Sequence, residues 1–340
     1  MEVTKSISER FRLASTLSMM AVVFIHARII HSRWGEFVDT TAGIAGKVSY
    51  YVQFLLSENV GRIAVPLFFL ISGFWMAYHN DSTLATYSDK LKKRVRTVLV
   101  PYLLVSLLWM VVSIATGKLQ INGVVDLLRV WLIDPVPFQF WFLQHLMMLL
   151  LLSWPILYVI RSMRYGSYLL LIAMLIYSFA NQSTWGAFGD SLLYYTIGMC
   201  LAFAEIKYPS KGVVLALIAI YVGLLVAVVA NGEISGWLVC LYKLQVLVGV
   251  SLILCWILYS STEAKSRILT ILGGNFFVYA FHEPLQSMIK SAVLPHIHSQ
   301  IGVLGLYLLM PVFVIAICLA VYMLMNKFMP RVAQVLTGGR

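Results

Sequence analysis

Val65-Pro66-Leu67-Phe68-Phe69-Leu70-Ile71-Ser72-Gly73-Phe74 is ten residues without a charge, set inside an apolar stretch that runs from about 60 to 79. About 20 mostly apolar residues is the length that crosses a hydrocarbon layer as a helix. Working outward, nine more stretches of this kind can be drawn, near 11–31, 97–116, 138–160, 166–183, 186–204, 212–230, 236–258, 268–290 and 300–325. Residues 166–204 are the weakest part, because Asn181, Gln182 and Trp185 leave a very short connection there. The expected fold is therefore all-α: a polytopic integral membrane protein with about ten transmembrane helices in one bundle. Residues 1–340 are expected to form a single membrane domain, with two long outer loops near 32–59 and 117–137.

Composition agrees. Of 340 residues, 61% are hydrophobic and 11% charged, and the mean hydropathy is +0.87. A soluble domain carries roughly 25% charged residues, so this chain lacks the material for a water-facing shell. Cys200, Cys240, Cys255 and Cys318 lie in apolar runs without paired spacing, which indicates neither a disulfide framework nor a thiolate metal site. No metal is expected. The first apolar run is followed by polar sequence without a small-residue cleavage site, and it is read as the first helix.

A net charge of +11 could suggest nucleic acid, but the charges fall in short runs between apolar segments. That distribution encodes topology. With the N-terminus inside, 17 of the 25 basic residues face the cytoplasm and 8 are left for the outer side and the membrane interior. Both termini are then cytoplasmic. Neither an internal repeat nor a low-complexity tract stands out, so a two-repeat transporter gains no support.

Ionisable groups inside a bilayer are costly, and each raises a functional question. On the first helix Ser15 and His26 are eleven residues apart and share a face, with Arg12 about 40° away. The rise places His26 roughly 22 Å above the cytoplasmic end. His145, Lys243, His282 and Glu283 fall at about the same outer-third depth on other helices, a layer suited to proton transfer. The plain alternative is interfacial: a hydrogen-bonded His26, and a Lys243 that snorkels to the outer surface. Phe69, Ser72 and Gly73 share a helical face that would serve either close helix packing or a slender ligand. Lys90-Leu91-Lys92-Lys93-Arg94-Val95-Arg96 holds five cations in seven residues. These could mark topology, bind lipid headgroups or grip the phosphates of a cofactor such as coenzyme A. No glycine-rich phosphate loop is present.

In order and spacing these stretches resemble the membrane acyltransferase-3 family, whose members modify bacterial surface glycans. The resemblance covers nearly the whole chain. It rests on Val22-Val23-Phe24-Ile25-His26, the Val65–Phe74 run, Lys93-Arg94-Val95-Arg96 before Pro101-Tyr102, and Trp141-Phe142-Leu143. It continues in Phe276-Phe277-Val278-Tyr279-Ala280-Phe281-His282-Glu283-Pro284 and ends in Leu336-Thr337-Gly338-Gly339-Arg340. What it implies is transfer of an acyl group, acetyl foremost, from cytoplasmic acyl-CoA to a hydroxyl of an extracytoplasmic or lipid-linked glycan. The setting would be the bacterial cytoplasmic (inner) membrane. His26 matches the histidine of the family's first motif, but the arginine position eleven residues earlier is Ser15 here. The paired basic residues map onto Lys93 and Arg96, with lysine at the first. Gln144 and His145 stand where relatives often carry arginine and aspartate.

A sugar hydroxyl needs a base to become a nucleophile, and His26 is the expected base. His282 and Glu283 would orient the imidazole or the acceptor. Lys93, Arg94 and Arg96 would hold the coenzyme phosphates, with the pantetheine arm along Phe69, Ser72 and Gly73. Ser72, Arg62 and Arg12 are the candidate oxyanion donors, and His145 is a candidate substrate contact. The sequence leaves open a covalent or a direct transfer, a homo-oligomer, and a place in a polysaccharide-synthesis complex. The rival readings are a glycan or acyl-carrier transporter (or flippase) and a non-catalytic subunit of a polysaccharide synthase.

Overall fold

The computed structural model describes residues 2–30, 43–181, 183, 187–205, 208–231, 234–259 and 274–339. The first part of the 32–59 loop, Gln182 and Trp185, the start of the 268–290 segment, and Lys207, Lys265, Arg267 and Arg340 lie outside these residues.

Among the described residues the chain is helical, without strands. We number the α-helices α1 (Glu2–Ala27), α2 (Gly43–Gln53), α3 (Ala64–Ala77), α4 (Leu84–Arg94), α5 (Val100–Ala115), α6 (Val124–Leu132) and α7 (Trp141–Ser162). They continue as α8 (Gly166–Ala180), α9 (Phe188–Leu201), α10 (Lys211–Asn231), α11 (Trp237–Tyr259), α12 (Asn275–Val293), α13 (Gln300–Phe328) and α14 (Pro330–Thr337). A helix stands in each of the ten expected segments. Six helical runs are long and apolar enough to cross a membrane by length and composition: Gly43–Ala77, Leu84–Ala115, Phe138–Ser162, Lys211–Asn231, Trp237–Tyr259 and Gln300–Phe328. The others fall short for physical reasons. α8 and α9 have only 15 and 14 residues, while α1 is charged and polar through its first turns, up to Arg12, and α12 is interrupted by His282, Glu283, Gln286 and Lys290.

The two long outer loops expected from sequence are corrected. From Gly43 onward the first is helix: α2 passes through a π-helical segment, Phe54–Val60, and a 3₁₀ turn, Gly61–Ile63, into α3. Its pattern is inverted relative to a soluble helix. Ile44, Val48, Tyr51 and Leu55 are exposed at helical spacing, whereas Ser49, Gln53 and Ser57 are buried. The Gln53 side chain accepts from the Ile29 amide at 2.8 Å and donates to Ser49 Oγ at 3.2 Å. A helix with its polar side inward and apolar side outward belongs in lipid. The second loop contains α6, anchored by a bond from Trp131 Nε1 to the Leu103 carbonyl and one from Tyr102 Oη to the Leu132 carbonyl.

α10 shows the same logic at its limit: only 6% of its apolar window is covered by protein. α3 sits at the opposite extreme, packed against α9 through Gly73 and Gly198. A Cβ at Gly73 would lie 2.0 Å from the Tyr195 carbonyl oxygen, and one at Gly198 would lie 1.9 Å from that of Leu70. Small residues let two membrane helices touch backbone to backbone. The interior proline residues Pro155, Pro284 and Pro311 are accommodated within α7, α12 and α13.

Candidate active site

One face of α1 sets the site. Arg12, Ser15, Met19, Val22 and His26 recur every three or four residues, and all line one cavity of about 700 Å³. The fourteen helical steps from Arg12 to His26 span about 21 Å at 1.5 Å per residue. α3 runs antiparallel beside it and supplies Arg62 (from the turn before it), Val65, Phe69, Ser72 and Trp75 to the same cavity. Two contacts fix the register. Phe11 meets the Trp75 ring with centroids 6.0 Å apart at one end, and Ser57 Oγ donates to the Phe24 carbonyl at 2.8 Å at the other. The cavity is thus a slot through most of the bundle. Arg12, Arg94 and Trp75 lie at one end; His26, Arg62, Asp190, Ser191 and Lys243 lie toward the other.

The apolar middle is built from Val65, Phe68, Phe69, Phe142, Leu143 and Leu146. Phe69 and Phe142 pack with ring centroids 4.6 Å apart. Such walls exclude water and suit a chain of methylene and amide groups passing between charged ends.

At the far end, His26 lies against His282, whose ring is fully buried with centroids 5.1 Å away. Behind them the last turn of α1 is gripped by α12. Gln286 Nε2 donates to the Val23 carbonyl at 2.9 Å, and Lys290 Nζ donates to the carbonyls of His26 and Arg28 at 2.6 and 2.9 Å. The Lys290 bonds take up carbonyls at and just beyond the end of α1, where the helical ladder supplies no amide.

Glu58 is a residue of the candidate site that the sequence did not single out. The π-helical segment Phe54–Val60 turns Ser57, Glu58 and Asn59 inward together. The Glu58 carboxylate is buried between Arg28 and Arg62, and receives Arg62 Nη2 at 2.5 Å and Nε at 3.1 Å. This brace holds Arg62 in the cavity wall. The signal was present in Glu58 and Arg62, an i, i+4 acid–base pair, but the expected boundary near residue 60 put Glu58 in a loop and Arg62 alone in the helix.

Of the residues singled out from sequence, Arg12, Ser15, His26, Arg62, Phe69, Ser72 and Arg94 line the cavity together. Lys93 and Arg96 do not; both are exposed, because α4 gives way to a π-helical turn at Val95–Leu99 that leaves Arg94 on the inner side. Gly73 is used against Tyr195 and is absent from the lining. His145 sits just behind the wall, its Nδ1 2.9 Å from the hydroxyl of Ser191. Glu283 accepts from Ser287 Oγ at 2.8 Å and is not part of the lining. Lys243 does not snorkel: it is buried and paired with Asp190 at 2.9 Å. Among the described residues no three His, Cys, Asp or Glu side chains are grouped to hold a metal ion.

A model of an acyltransferase domain matches residues 13–324, from the first turns of the cavity face on α1 to the end of α13. The protein is an acyltransferase. It belongs to the acyltransferase-3 family. The chain is similar to the succinoglycan biosynthesis protein ExoH of Rhizobium meliloti (strain 1021), with 26% identity over 98% of this chain and 93% of that protein. No solved structure matches it.

Proposed function

We propose that the protein is a multi-pass O-acyltransferase of the bacterial cytoplasmic membrane, with residues 1–340 acting as one domain. It moves an acyl group, acetyl foremost, from cytoplasmic acyl-CoA to a hydroxyl of an extracytoplasmic or lipid-linked glycan. One observation carries this reading: a single slot about 21 Å long by helix rise joins a cationic end at Arg12 and Arg94 to His26 and Arg62. The name of the ExoH relative, a succinoglycan biosynthesis protein, supports a glycan as the acceptor class.

In this reading Arg94 and Arg12 hold the coenzyme phosphates at the slot's entrance, where Lys93 and Arg96 add charge from outside. Arg12 stands about 21 Å from His26 by helix rise and so is too far to be the oxyanion donor expected from sequence. Guanidinium groups suit phosphate through paired N–H donors. The pantetheine arm lies along Phe69 and Ser72, and the thioester reaches His26. The acceptor oxygen attacks the thioester carbonyl carbon, and His26 takes the hydroxyl proton. Arg62, braced by Glu58, stabilises the oxyanion. The carbon–sulfur bond then breaks, and the proton passes from His26 to the departing thiolate. His282 acts through His26 as a positioning residue.

The test is purified protein in nanodiscs with radiolabelled acetyl-CoA and a panel of oligosaccharide and lipid-linked acceptors. Label appearing on an acceptor hydroxyl is the expected result. Passage of glycan across the bilayer with no label transferred would establish a transporter instead. Absence of both transfer and acyl-CoA binding would overturn the donor site.

A further inference from the structure

The wall of the cavity formed by α9 and α11 carries a polar cluster that the transfer chemistry above does not use. Asp190 lies in the first turn of α9, where the helix dipole favours a carboxylate. Lys243 reaches it from α11. Lys243 Nζ donates to the Ser178 carbonyl at 2.6 Å and to Asp190 Oδ1 at 2.9 Å, and the Ser178 hydroxyl donates to the same Oδ1. An ammonium has three hydrogens, and this bonding commits two. Both bonds to the carboxylate fall on one oxygen; among the described residues Oδ2 accepts none. A spare donor and a spare acceptor therefore stand side by side. Asp190 and Lys243 both line the cavity, as do Ser191 and the rings of Tyr194, Tyr242 and Trp141.

That combination selects a ligand class. The Asp190–Lys243 pair is electrically neutral, so an anion finds the ammonium already matched. An acyl chain would leave the spare donor and acceptor without partners, which is costly in a buried site. A sugar ring satisfies both. Its hydroxyls donate and accept at once, and its C–H face packs on aromatic rings.

We propose that Asp190, Lys243 and Ser191 form the subsite that holds a neutral, hydroxyl-bearing sugar ring of the acceptor. The inference rests on the acyl-transfer reading for its role in turnover, but the binding it describes is independent of that chemistry. The competing explanation is a clamp that only ties α8, α9 and α11 together.

The two are separated by binding a neutral β-linked glucose tetrasaccharide to the protein in nanodiscs, measured by saturation-transfer NMR, with acetyl-CoA titrated in parallel. The wild-type protein is expected to bind the tetrasaccharide saturably. Asp190→Asn is expected to raise its Kd by roughly tenfold or more, the equivalent of one charge-assisted hydrogen bond, and to leave acetyl-CoA affinity within about twofold. Ser178→Ala loosens the clamp while Oδ2 and the third ammonium hydrogen stay in place; it is expected to lower Tm and shift the tetrasaccharide Kd far less. An equal effect of both variants, no effect of Asp190→Asn, or no wild-type binding overturns the subsite. If Asp190→Asn fails to fold, Ser191→Ala decides by the same comparison, with weakened saccharide binding expected and unchanged binding overturning the proposal. Saccharide binding that depends on Asp190 in a protein that binds no acetyl-CoA would keep the subsite and defeat the transfer reading.

Discussion

His26 and His282 meet edge to face with ring centroids 5.1 Å apart, and the second ring is locked. His282 Nδ1 lies 2.9 Å from the carbonyl oxygens of both Val278 and Tyr279. Carbonyls only accept, so Nδ1 carries the hydrogen, and in the neutral ring Nε2 carries the lone pair. That lone pair is buried and has no hydrogen-bond partner among the described residues. A fixed neighbour of this kind holds the His26 ring at the cavity wall without itself reaching the cavity.

His26→Gln keeps hydrogen bonding and removes the base. Acyl transfer is expected to fall by about 10²–10⁴-fold with acyl-CoA affinity retained, since a general base contributes in that range. His282→Gln is expected to lower kcat less and to change the shape of the pH–rate profile, because it frees the His26 ring without removing it. Near-normal turnover of His26→Gln at saturating acceptor would make that histidine structural.

The exposure of Lys93 and Arg96, set against Arg94 in the cavity wall, ranks the three cations. Arg94→Ala is expected to weaken acyl-CoA binding by about 1.5–3 kcal/mol, the loss of one charge-assisted contact. Lys93→Ala or Arg96→Ala should each cost less, through long-range charge that salt screens. Titrations of acyl-CoA at low and high ionic strength read both effects. Equal losses for all three would place the phosphates outside the slot.

Hydrophobic runs told where the helices are, because burial in lipid writes itself as uninterrupted apolar sequence. Gly43–Val60 was illegible for the opposite reason. Its Ser49, Gln53, Ser57 and Glu58 face protein rather than water, so polarity that signals a loop in solution here marks a helix interior. On α1 the face that lines the cavity was legible from period alone, since Arg12, Ser15 and His26 repeat on one side. Gly73 was ambiguous: the sequence offered both packing and ligand, and only the approach of Tyr195 decided where its missing side chain is used. Asp190 and Lys243 are 53 residues apart, and no local pattern joins them.

Glu58 is expected to matter more than either arginine beside it. Glu58→Gln leaves the charges of Arg28 and Arg62 facing each other in a buried site, and breaking such an arrangement costs about 3–5 kcal/mol. Arg28→Gln leaves the Glu58–Arg62 pair intact and should cost clearly less. Thermal unfolding in detergent, followed by the fluorescence of a thiol-independent dye, measures the order. A smaller loss for Glu58→Gln than for Arg28→Gln would mean that the carboxylate does not brace Arg62.

Both termini and the Lys90–Arg96 segment are expected on the cytoplasmic side, from the 17-to-8 distribution of basic residues. Cysteine introduced at position 92 in a variant lacking Cys200, Cys240, Cys255 and Cys318 should resist an impermeant thiol reagent added outside intact cells. Strong labelling there would invert the entry side for acyl-CoA.

The last expectation concerns the α3–α9 crossing. The atoms that a Cβ at Gly73 or Gly198 would strike are backbone oxygens at 2.0 and 1.9 Å, and backbone cannot rotate away as a side chain does. Gly198→Ala must therefore drive the two helices apart. Overpacking of this kind costs about 1–3 kcal/mol and sometimes more. The displacement also reaches the cavity, because α3 brings Phe69 and Ser72 to it and α9 brings Asp190 and Tyr194. Gly223 is the control: it lies on the lipid-facing helix α10 with nothing within 4 Å of an added Cβ. Gly223→Ala is expected to be neutral or stabilising by up to about 1 kcal/mol, the helix propensity gained over glycine. Gly73→Ala and Gly198→Ala should lower Tm together and weaken acyl-CoA binding together. A Gly73→Ala protein with wild-type Tm and selectively weakened acyl-CoA binding would instead return Gly73 to the coenzyme path.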